Sequence, residues 1–92
     1  MNETALTIKV KRMLKRQYPE AWVYKTSDRF TSGIPDLLIC KDGRLIAIEL
    51  KYGKNKASKL QTITIEKIRR AGGVAAVCWS VEEVKEIIDG TN

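Results

Sequence analysis

Apolar residues recur along this chain with two periods, and each period predicts a different kind of element. Near the start, four of them fall on one face of a helix, with basic residues on the other faces. Pro19 ends this pattern, because proline disfavours helical geometry in the residue before it. The sequence therefore predicts an opening helix whose buried residues are Leu6, Val10, Met13 and Leu14.

Three strand-like segments follow. Trp22–Lys25 is short, and the polar stretch 26–33 separates it from two apolar runs, 35–40 and 44–51. Lys41-Asp42-Gly43 joins those runs, and Asp-Gly between apolar runs is a strong signal for a β-hairpin. In a hairpin that turns there, residues whose numbers sum to about 85 lie opposite each other.

A second helix is predicted to begin at a capping box, in which Ser58 and Gln61 bond reciprocally to each other's backbone N–H groups. Gly72-Gly73 is expected to end this helix. Its apolar stripe is expected to consist of Leu60, Ile63, Ile68 and Ala71.

The remaining pattern predicts a strand and a short helix. The continuous apolar run 74–79 is typical of a buried strand, so Trp79 is expected in the core. Ser80 and Glu83 form a second capping box that opens the last helix. The order α-β-β-β-α-β-α predicts an α/β fold, a mixed sheet flanked by helices, in a single domain over residues 1–92.

Composition narrows the chemistry that is available. The 92 residues carry 17 Lys and Arg against 11 Asp and Glu, a net charge of +6 that favours a polyanionic partner. The absence of histidine excludes a Cys/His zinc site and a Ser-His-Asp triad. Cys40 and Cys78 stand alone in apolar stretches, so we expect both to be buried and reduced. No apolar run approaches the ~18 residues of a membrane-spanning helix and the N-terminus has no secretory pattern, so we expect a cytoplasmic protein without a membrane partner.

The predicted hairpin brings acidic residues together. Glu49 and Lys51 point to the same face, because side chains alternate along a strand, and the register places Asp36 opposite Glu49. Two carboxylates and an ammonium are thus expected at one end of one sheet face. The alternative is a salt-bridged hairpin whose charges serve only solubility.

Two close carboxylates repel each other, and one of them would normally stay protonated. A divalent cation removes this penalty, so Asp36 and Glu49 are candidate ligands of Mg²⁺, with the backbone carbonyl of Leu50 as an additional candidate. Lys51 then lies where it could orient or deprotonate the attacking water, or stabilise negative charge on a phosphoryl group.

These residues resemble the motif of a nuclease superfamily. Gly33-Ile34-Pro35-Asp36, followed after twelve residues by Glu49-Leu50-Lys51, is similar to the PD-(D/E)XK motif. More narrowly, the chain from Glu3 to about Ile88 resembles the virus-type replication-repair nuclease (VRR-NUC) domain in its stand-alone phage or bacterial form. The further matches are Glu3, Gln61, Ala71-Gly72-Gly73 and Ser80-Val81-Glu82-Glu83.

The resemblance implies a restriction-endonuclease-like core and a role for each matched residue. Asp36 and Glu49 would bind Mg²⁺ or Mn²⁺, and Lys51 would be the catalytic lysine. Glu3 would join them as a ligand through water or at a second metal. The alternative is that its negative charge only stabilises the first turn of the opening helix. Gln61 would contact the scissile region or the lysine, and its capping role would then need a different side-chain rotamer.

Stand-alone members of this family resemble Holliday junction resolvases. The implied activity is metal-dependent hydrolysis of phosphodiester bonds in branched DNA during repair or recombination. A homodimer would suit a four-way junction, because two active sites can nick two strands symmetrically. The alternatives are a flap or nicking nuclease and a non-catalytic DNA-binding module that kept the fold.

Positive charge is concentrated in two segments. Residues 9–29 include seven basic and two acidic side chains, and residues 51–70 include seven basic and one acidic, whereas acidic residues prevail in 81–92. This polarity suits a DNA backbone. The residues expected to contact DNA are Lys9, Arg12, Arg16, Arg29, Lys54, Lys56 and Lys59.

Overall fold

A four-stranded mixed sheet lies between helices in the computed structural model of the protein, which describes residues 1–27 and 33–91. The predicted element order and the predicted fold class are both confirmed. The elements are α1 (Glu3–Gln17), β1 (Trp22–Lys25), β2 (Leu37–Lys41), β3 (Arg44–Leu50), α2 (Lys59–Arg70), β4 (Val74–Cys78) and α3 (Val81–Asp89).

The strands lie in the order β1-β2-β3-β4. The pairs β1–β2 and β2–β3 are antiparallel, and the pair β3–β4 is parallel. A parallel pair needs a crossover connection, which α2 supplies. None of the helices within the described ranges is long and apolar enough to cross a membrane.

The hairpin between β2 and β3 has the predicted turn and register. Asp42 and Gly43 both have positive φ, 53° and 77°, as a two-residue type I′ turn requires. The paired positions run from Lys41 opposite Arg44 to Leu37 opposite Ile48, so their numbers sum to 85 as predicted. Asp36 and Glu49 are the next positions beyond the last pair of this ladder.

The sheet has a different core on each face. On one face, α1 and α3 pack against side chains such as Ile46, Ile48 and Leu50. The four residues predicted to be buried on the opening helix belong to this core, which confirms that prediction. On the other face, Ile65 of α2 packs against Ala47 and Ala75 in a smaller cluster.

The predicted stripe of α2 is wrong in most of its positions. Ile68 is half-buried and packs against the smaller cluster, but Ile65, which was not predicted, is the buried residue of this helix. The small side chains of Ala47 and Ala75 leave room for Ile65 on the sheet face. The three predicted stripe residues that are exposed instead are Leu60, Ile63 and Ala71.

Trp79 and Cys40 are also more exposed than predicted. β4 ends at Cys78, so Trp79 lies beyond the sheet with 38% of its surface exposed, and its Nε1 donates to the Asn55 carbonyl oxygen at 2.8 Å. Cys40 is exposed because α2 packs mainly against β3 and β4 and leaves this part of β2 uncovered. Cys78 is buried as predicted, and burial raises the pKa of its thiol to about 12.

Candidate active site

The α2 side of the sheet carries a buried carboxylate at the end of β3. Side chains alternate along the strand, so Glu49 lies on the same face as Ala47, next to α2. Only 2% of the Glu49 surface is exposed. A carboxylate this deeply buried is rare unless it is paired or binds a cation.

The two carboxylate oxygens of Glu49 have different surroundings. Oε2 accepts a hydrogen bond from Nε2 of Gln61 at 2.9 Å and lies 3.3 Å from Nζ of Lys51. Oε1 is buried and has no hydrogen-bond partner within the part of the chain that the structure describes. One oxygen of the carboxylate is therefore held in place, and the other is left to bind a proton or a cation.

The surroundings raise the pKa of Glu49 to about 7. Burial is the largest cause, and the neighbouring Asp36 carboxylate adds to it, whereas the Lys51 ammonium opposes the shift. Near neutral pH, Glu49 therefore gives up its proton readily when a cation binds beside it.

Asp36 lies directly before β2 and is held by hydrogen bonds to β3 and to the residue that follows β1. Its Oδ2 accepts a hydrogen bond from the backbone N–H of Leu50 at 2.8 Å. Its carbonyl oxygen accepts from the backbone N–H of Thr26 at 2.9 Å. The side chain thereby lies across the strand end from Glu49, as the hairpin register predicts.

Lys25 is a neighbour of the site that sequence reasoning missed. Its Nζ lies 4.0 Å from Oδ1 of Asp36. The signal that could have found it is the register of β1, which pairs Lys25 with Leu37, next to Asp36. The pairing of β1 with β2 cannot be read from a hairpin turn, because eleven residues of sequence separate these two strands.

Gln61 serves the helix and the site at once. Its Oε1 accepts from the Ser58 backbone N–H at 2.8 Å, and Oγ of Ser58 accepts from the Gln61 backbone N–H at 3.2 Å, which confirms the capping box. The Nε2 end of the same amide donates to Glu49. One rotamer makes both the capping bond and the bond to Glu49, so a site contact does not need a second rotamer. The predicted contact of Gln61 with the scissile region or with Lys51 stays a prediction.

The amino-acid sequence matches a known protein family. The model of the VRR-NUC domain matches residues 3–82. The chain belongs to the VRR-NUC family. VRR-NUC domains are nuclease domains, so membership implies a DNA-processing, nuclease-type function and hence binding to DNA.

Solved structures share the fold of this chain. One, named "VRR_NUC domain", is 24% identical over 100% of both chains, with a TM-score of 0.75. Another, named "VRR_NUC domain protein", is 22% identical over 97% of this chain and 86% of its own, with a TM-score of 0.81. At these identities the likeness shows the VRR-NUC fold alone. Among the curated proteins, none matches this chain.

Divalent metals are the usual cofactors of PD-(D/E)XK-like nucleases, and the VRR-NUC site here fits one. The unpartnered Oε1 of Glu49 and the carboxylate of Asp36 are the hard oxygen donors that Mg²⁺ prefers. Within residues 1–27 and 33–91, no group of three or more His, Cys, Asp or Glu side chains could hold a metal ion. Two carboxylates suffice, because Mg²⁺ keeps several of its waters in protein sites.

Glu3 is not brought into this pair of acids. It is the first residue of α1, and its carbonyl oxygen accepts from the Thr7 hydroxyl at 3.0 Å. α1 packs on the face of the VRR-NUC sheet opposite to Glu49. A role for Glu3 in the site stays a prediction.

The predicted DNA-binding residues fall on two exposed surfaces. Lys9, Arg12 and Arg16 lie on α1, and Lys54, Lys56 and Lys59 lie on the segment that follows β3 and at the start of α2. Arg29 lies outside the described residues. The second surface directly follows β3, the strand that carries Glu49.

Proposed function

We propose that this protein is a divalent-metal-dependent endonuclease that cuts branched DNA, most readily a four-way junction, as a homodimer. The observation that carries the proposal is the buried Glu49, which keeps one carboxylate oxygen without a partner and has Asp36 and Lys51 as neighbours, in a domain of a nuclease family. A structural salt bridge alone would not leave a carboxylate oxygen buried without a partner.

Each side chain at the site has a task in this proposal. Asp36 and Glu49, with the carbonyl of Leu50, hold Mg²⁺ or Mn²⁺, which supplies a Lewis acid for the phosphoryl oxygens when it is bound. Gln61 positions Glu49 through the 2.9 Å hydrogen bond. Glu3 remains a candidate for an additional ligand.

Lys51 supplies positive charge at the reacting phosphate. Its side chain is only 16% exposed, and its Nζ is 3.3 Å from Glu49, so it is ordered before DNA arrives. An ordered ammonium in a partly dry site stabilises developing negative charge better than a mobile one does. It can also orient the attacking water.

Support for branched DNA and for a dimer comes from the surface. The basic residues within the described ranges suit contacts to phosphates, which position DNA without reading its sequence, so the proposal assigns selectivity to the shape of the DNA. On the α2 side, Trp22 and Tyr24 of β1 and Leu45 of β3 are exposed, an apolar surface that a second copy could cover. Trp22 and Tyr24 stack with nearly parallel rings, 5.8 Å between centroids.

The test is cleavage of labelled four-way junction, flap and linear duplex DNA, each with Mg²⁺ and with EDTA. We expect the junction to be cut into paired products only with Mg²⁺, and the Glu49→Gln variant to be inactive on all three. Preferred cutting of the flap would favour a flap nuclease instead. Binding without cutting under all conditions would leave a non-catalytic module.

A further inference from the structure

A cleft of about 510 Å³ separates α1 from the residues that follow β4, away from the candidate active site. Leu6 and Met13, both buried in the larger core, form its apolar floor. The walls are the exposed face of α1 and the segment from Trp79 to Glu82. Its volume lies within the range of small-molecule sites, roughly 300–1,000 Å³.

One wall of the cleft is basic. Lys9, Arg12 and Arg16 are spaced by three and four residues, so they project from one face of α1. Of the described residues that line the cleft, these three are basic and only Glu82 is acidic. The lining therefore carries a net positive charge, which suits a phosphate group.

The opposite wall presents an aromatic ring. Trp79 is partly exposed although it follows an apolar strand, and its indole Nε1 is satisfied by the Asn55 carbonyl. This hydrogen bond fixes the ring at the cleft and meets its need for a polar partner. Ring surface that is fixed and exposed can stack on a base of any sequence.

The cleft lies at the same end of the sheet as the catalytic residues. Leu50 of β3 pairs with Cys78 of β4, and the Lys51 backbone N–H donates to the Cys78 carbonyl at 3.0 Å. Trp79 is the next residue after this contact. Glu49 faces the α2 side and the cleft opens on the α1 side, so a path between them runs around this end of the sheet.

Basic residues mark that path. Asn55, which holds Trp79, stands between the exposed Lys54 and Lys56. The loop that follows β3 therefore contacts Trp79 in the wall of the cleft and carries two positive charges next to that contact. A DNA backbone that leaves the active site would meet this loop first and the cleft next.

We infer that the cleft binds an unpaired nucleotide of the DNA strand that extends from the active site. Its base stacks on Trp79, and its phosphates contact Lys9, Arg12 and Arg16. The nucleotide must be unpaired, because a base within a duplex has both faces covered by its neighbours. This inference rests on the proposed function for its ligand, and it makes single-stranded DNA at a branch a determinant of substrate choice.

The test measures binding without cleavage. Trp22→Phe leaves Trp79 as the only tryptophan, since the chain has two. This full-length protein is titrated with a short oligothymidylate in EDTA, and with a blunt duplex of equal length. We expect the single strand to quench Trp79 fluorescence and the duplex to leave it nearly unchanged.

Two double variants in this background provide a matched comparison. Arg12→Gln with Arg16→Gln should weaken binding of the single strand about tenfold and make its log–log salt dependence shallower by about 1.4, since each phosphate contact to a single strand contributes about 0.7. Lys11→Gln with Lys15→Gln removes the same charge from residues of α1 that line a different groove. We expect this control to change affinity less than threefold.

A third comparison tests the ring itself. In the wild-type background, followed with a labelled oligothymidylate, Trp79→Ala should lose about tenfold in affinity, whereas Trp79→Phe should retain most of it. Equal effects of the two double variants, equal effects of Ala and Phe, or no quenching of Trp79 would overturn the inference.

The inference and the proposed function fail in different ways. A protein that binds the single strand as expected but cuts no DNA with Mg²⁺ contradicts the proposed function and keeps the cleft as a nucleotide site. A protein that cuts junctions, but whose affinity for the single strand is unaffected by the Arg12, Arg16 and Trp79 variants, contradicts the inference alone.

Discussion

At the scale of single residues, Glu49 sets the pH dependence of the metal-free protein. Its pKa is near 7 in the folded state and 4.5 as the ordinary value, so between these pH values the folded protein keeps a proton that the unfolded chain has lost. The stability that this proton contributes is complete below pH 4.5 and is lost as pH rises through about 7.

We therefore expect the free energy of unfolding to fall by about 1.4 kcal/mol per pH unit over this interval from Glu49 alone, up to about 3 kcal/mol in total. Urea unfolding in EDTA from pH 4 to 8 measures it. In the Glu49→Gln variant this contribution is absent, so the difference between the two profiles isolates it. Parallel profiles would contradict the raised pKa.

Neutralising either site carboxylate should abolish cleavage without preventing the protein from folding. Asp36→Asn and Glu49→Gln each remove a charge at little change in volume, and an amide oxygen can still accept from Leu50 or Gln61. We expect both variants to fold and to bind DNA at least as well as the wild type, because less negative charge faces the phosphates. Cleavage with Mg²⁺ should fall by more than a thousandfold. Retained cleavage in either variant would remove that residue from the mechanism.

At the scale of elements, Gly33 joins the loop before Asp36 to the first turn of α2. It has a φ of +87°, and a Cβ at this position would lie 2.7 Å from the Leu60 carbonyl oxygen. The atom in the way belongs to the helix backbone, so it cannot move aside as a flexible side chain or a water molecule could. The close approach fixes α2, and with it Gln61, relative to the strand that carries Asp36.

Gly33→Ala should therefore cost stability and activity together. Gly53→Ala is the matched control, since Gly53 also has a positive φ, +64°, but nothing lies within 4 Å of its Cβ position. We expect about 1 kcal/mol of backbone strain in the control and at least about 2 kcal/mol more in Gly33→Ala. Denaturant unfolding measures the first effect, and junction cleavage should fall at least tenfold in Gly33→Ala only. Equal effects of both substitutions would show that the contact with α2 is unimportant.

Some features of these elements could be predicted from the sequence. The register of the β2–β3 hairpin follows from local chemistry, because Asp42-Gly43 fits one turn type and the alternation of apolar residues fits one face. The pairing of Asp36 with Glu49 came with it. Local patterns therefore predicted the acidic pair of the site.

Features that depend on tertiary contacts could not be predicted from local sequence patterns. The buried face of α2 is chosen by the small residues Ala47 and Ala75 on the sheet and by the hydrogen bond from Gln61 to Glu49, and the apolar pattern within the helix carries no information on these contacts. Trp79 leaves the core because Asn55, on another loop, offers its carbonyl. In each case a tertiary contact overrides the local apolar pattern.

At the scale of the whole molecule, the exposed apolar face of β1 and β2 bears on assembly. We expect a stable homodimer at micromolar concentration, which light scattering will detect. Trp22→Ser with Tyr24→Ser should shift the mass towards the monomer without lowering the thermal stability of the monomer greatly, because both rings are about half exposed already. A mass unchanged by this double variant would place the interface elsewhere.

Mixed dimers test whether two active sites act together. Wild-type subunits exchanged with Glu49→Gln subunits should nick one strand of a cruciform plasmid and seldom linearise it. Homodimers of the wild type should linearise it. A monomer in solution that still resolves junctions into paired products would contradict the dimer and leave a flap or nicking nuclease as the better hypothesis.

The hairpin register has a consequence for how the gene can change length. Asp36 and Glu49 share a sheet face because they lie opposite each other in the register of the hairpin, and residues opposite each other on neighbouring strands point to the same face. Inserting or deleting one codon within 37–41 or 44–48 would turn one acid to the opposite face and dismantle the pair, even if every remaining residue were kept. The segment 52–57 lies outside the ladder and is free of this constraint. Over evolutionary time the protein can therefore vary the length of its basic loop while the spacing between its two acids stays fixed.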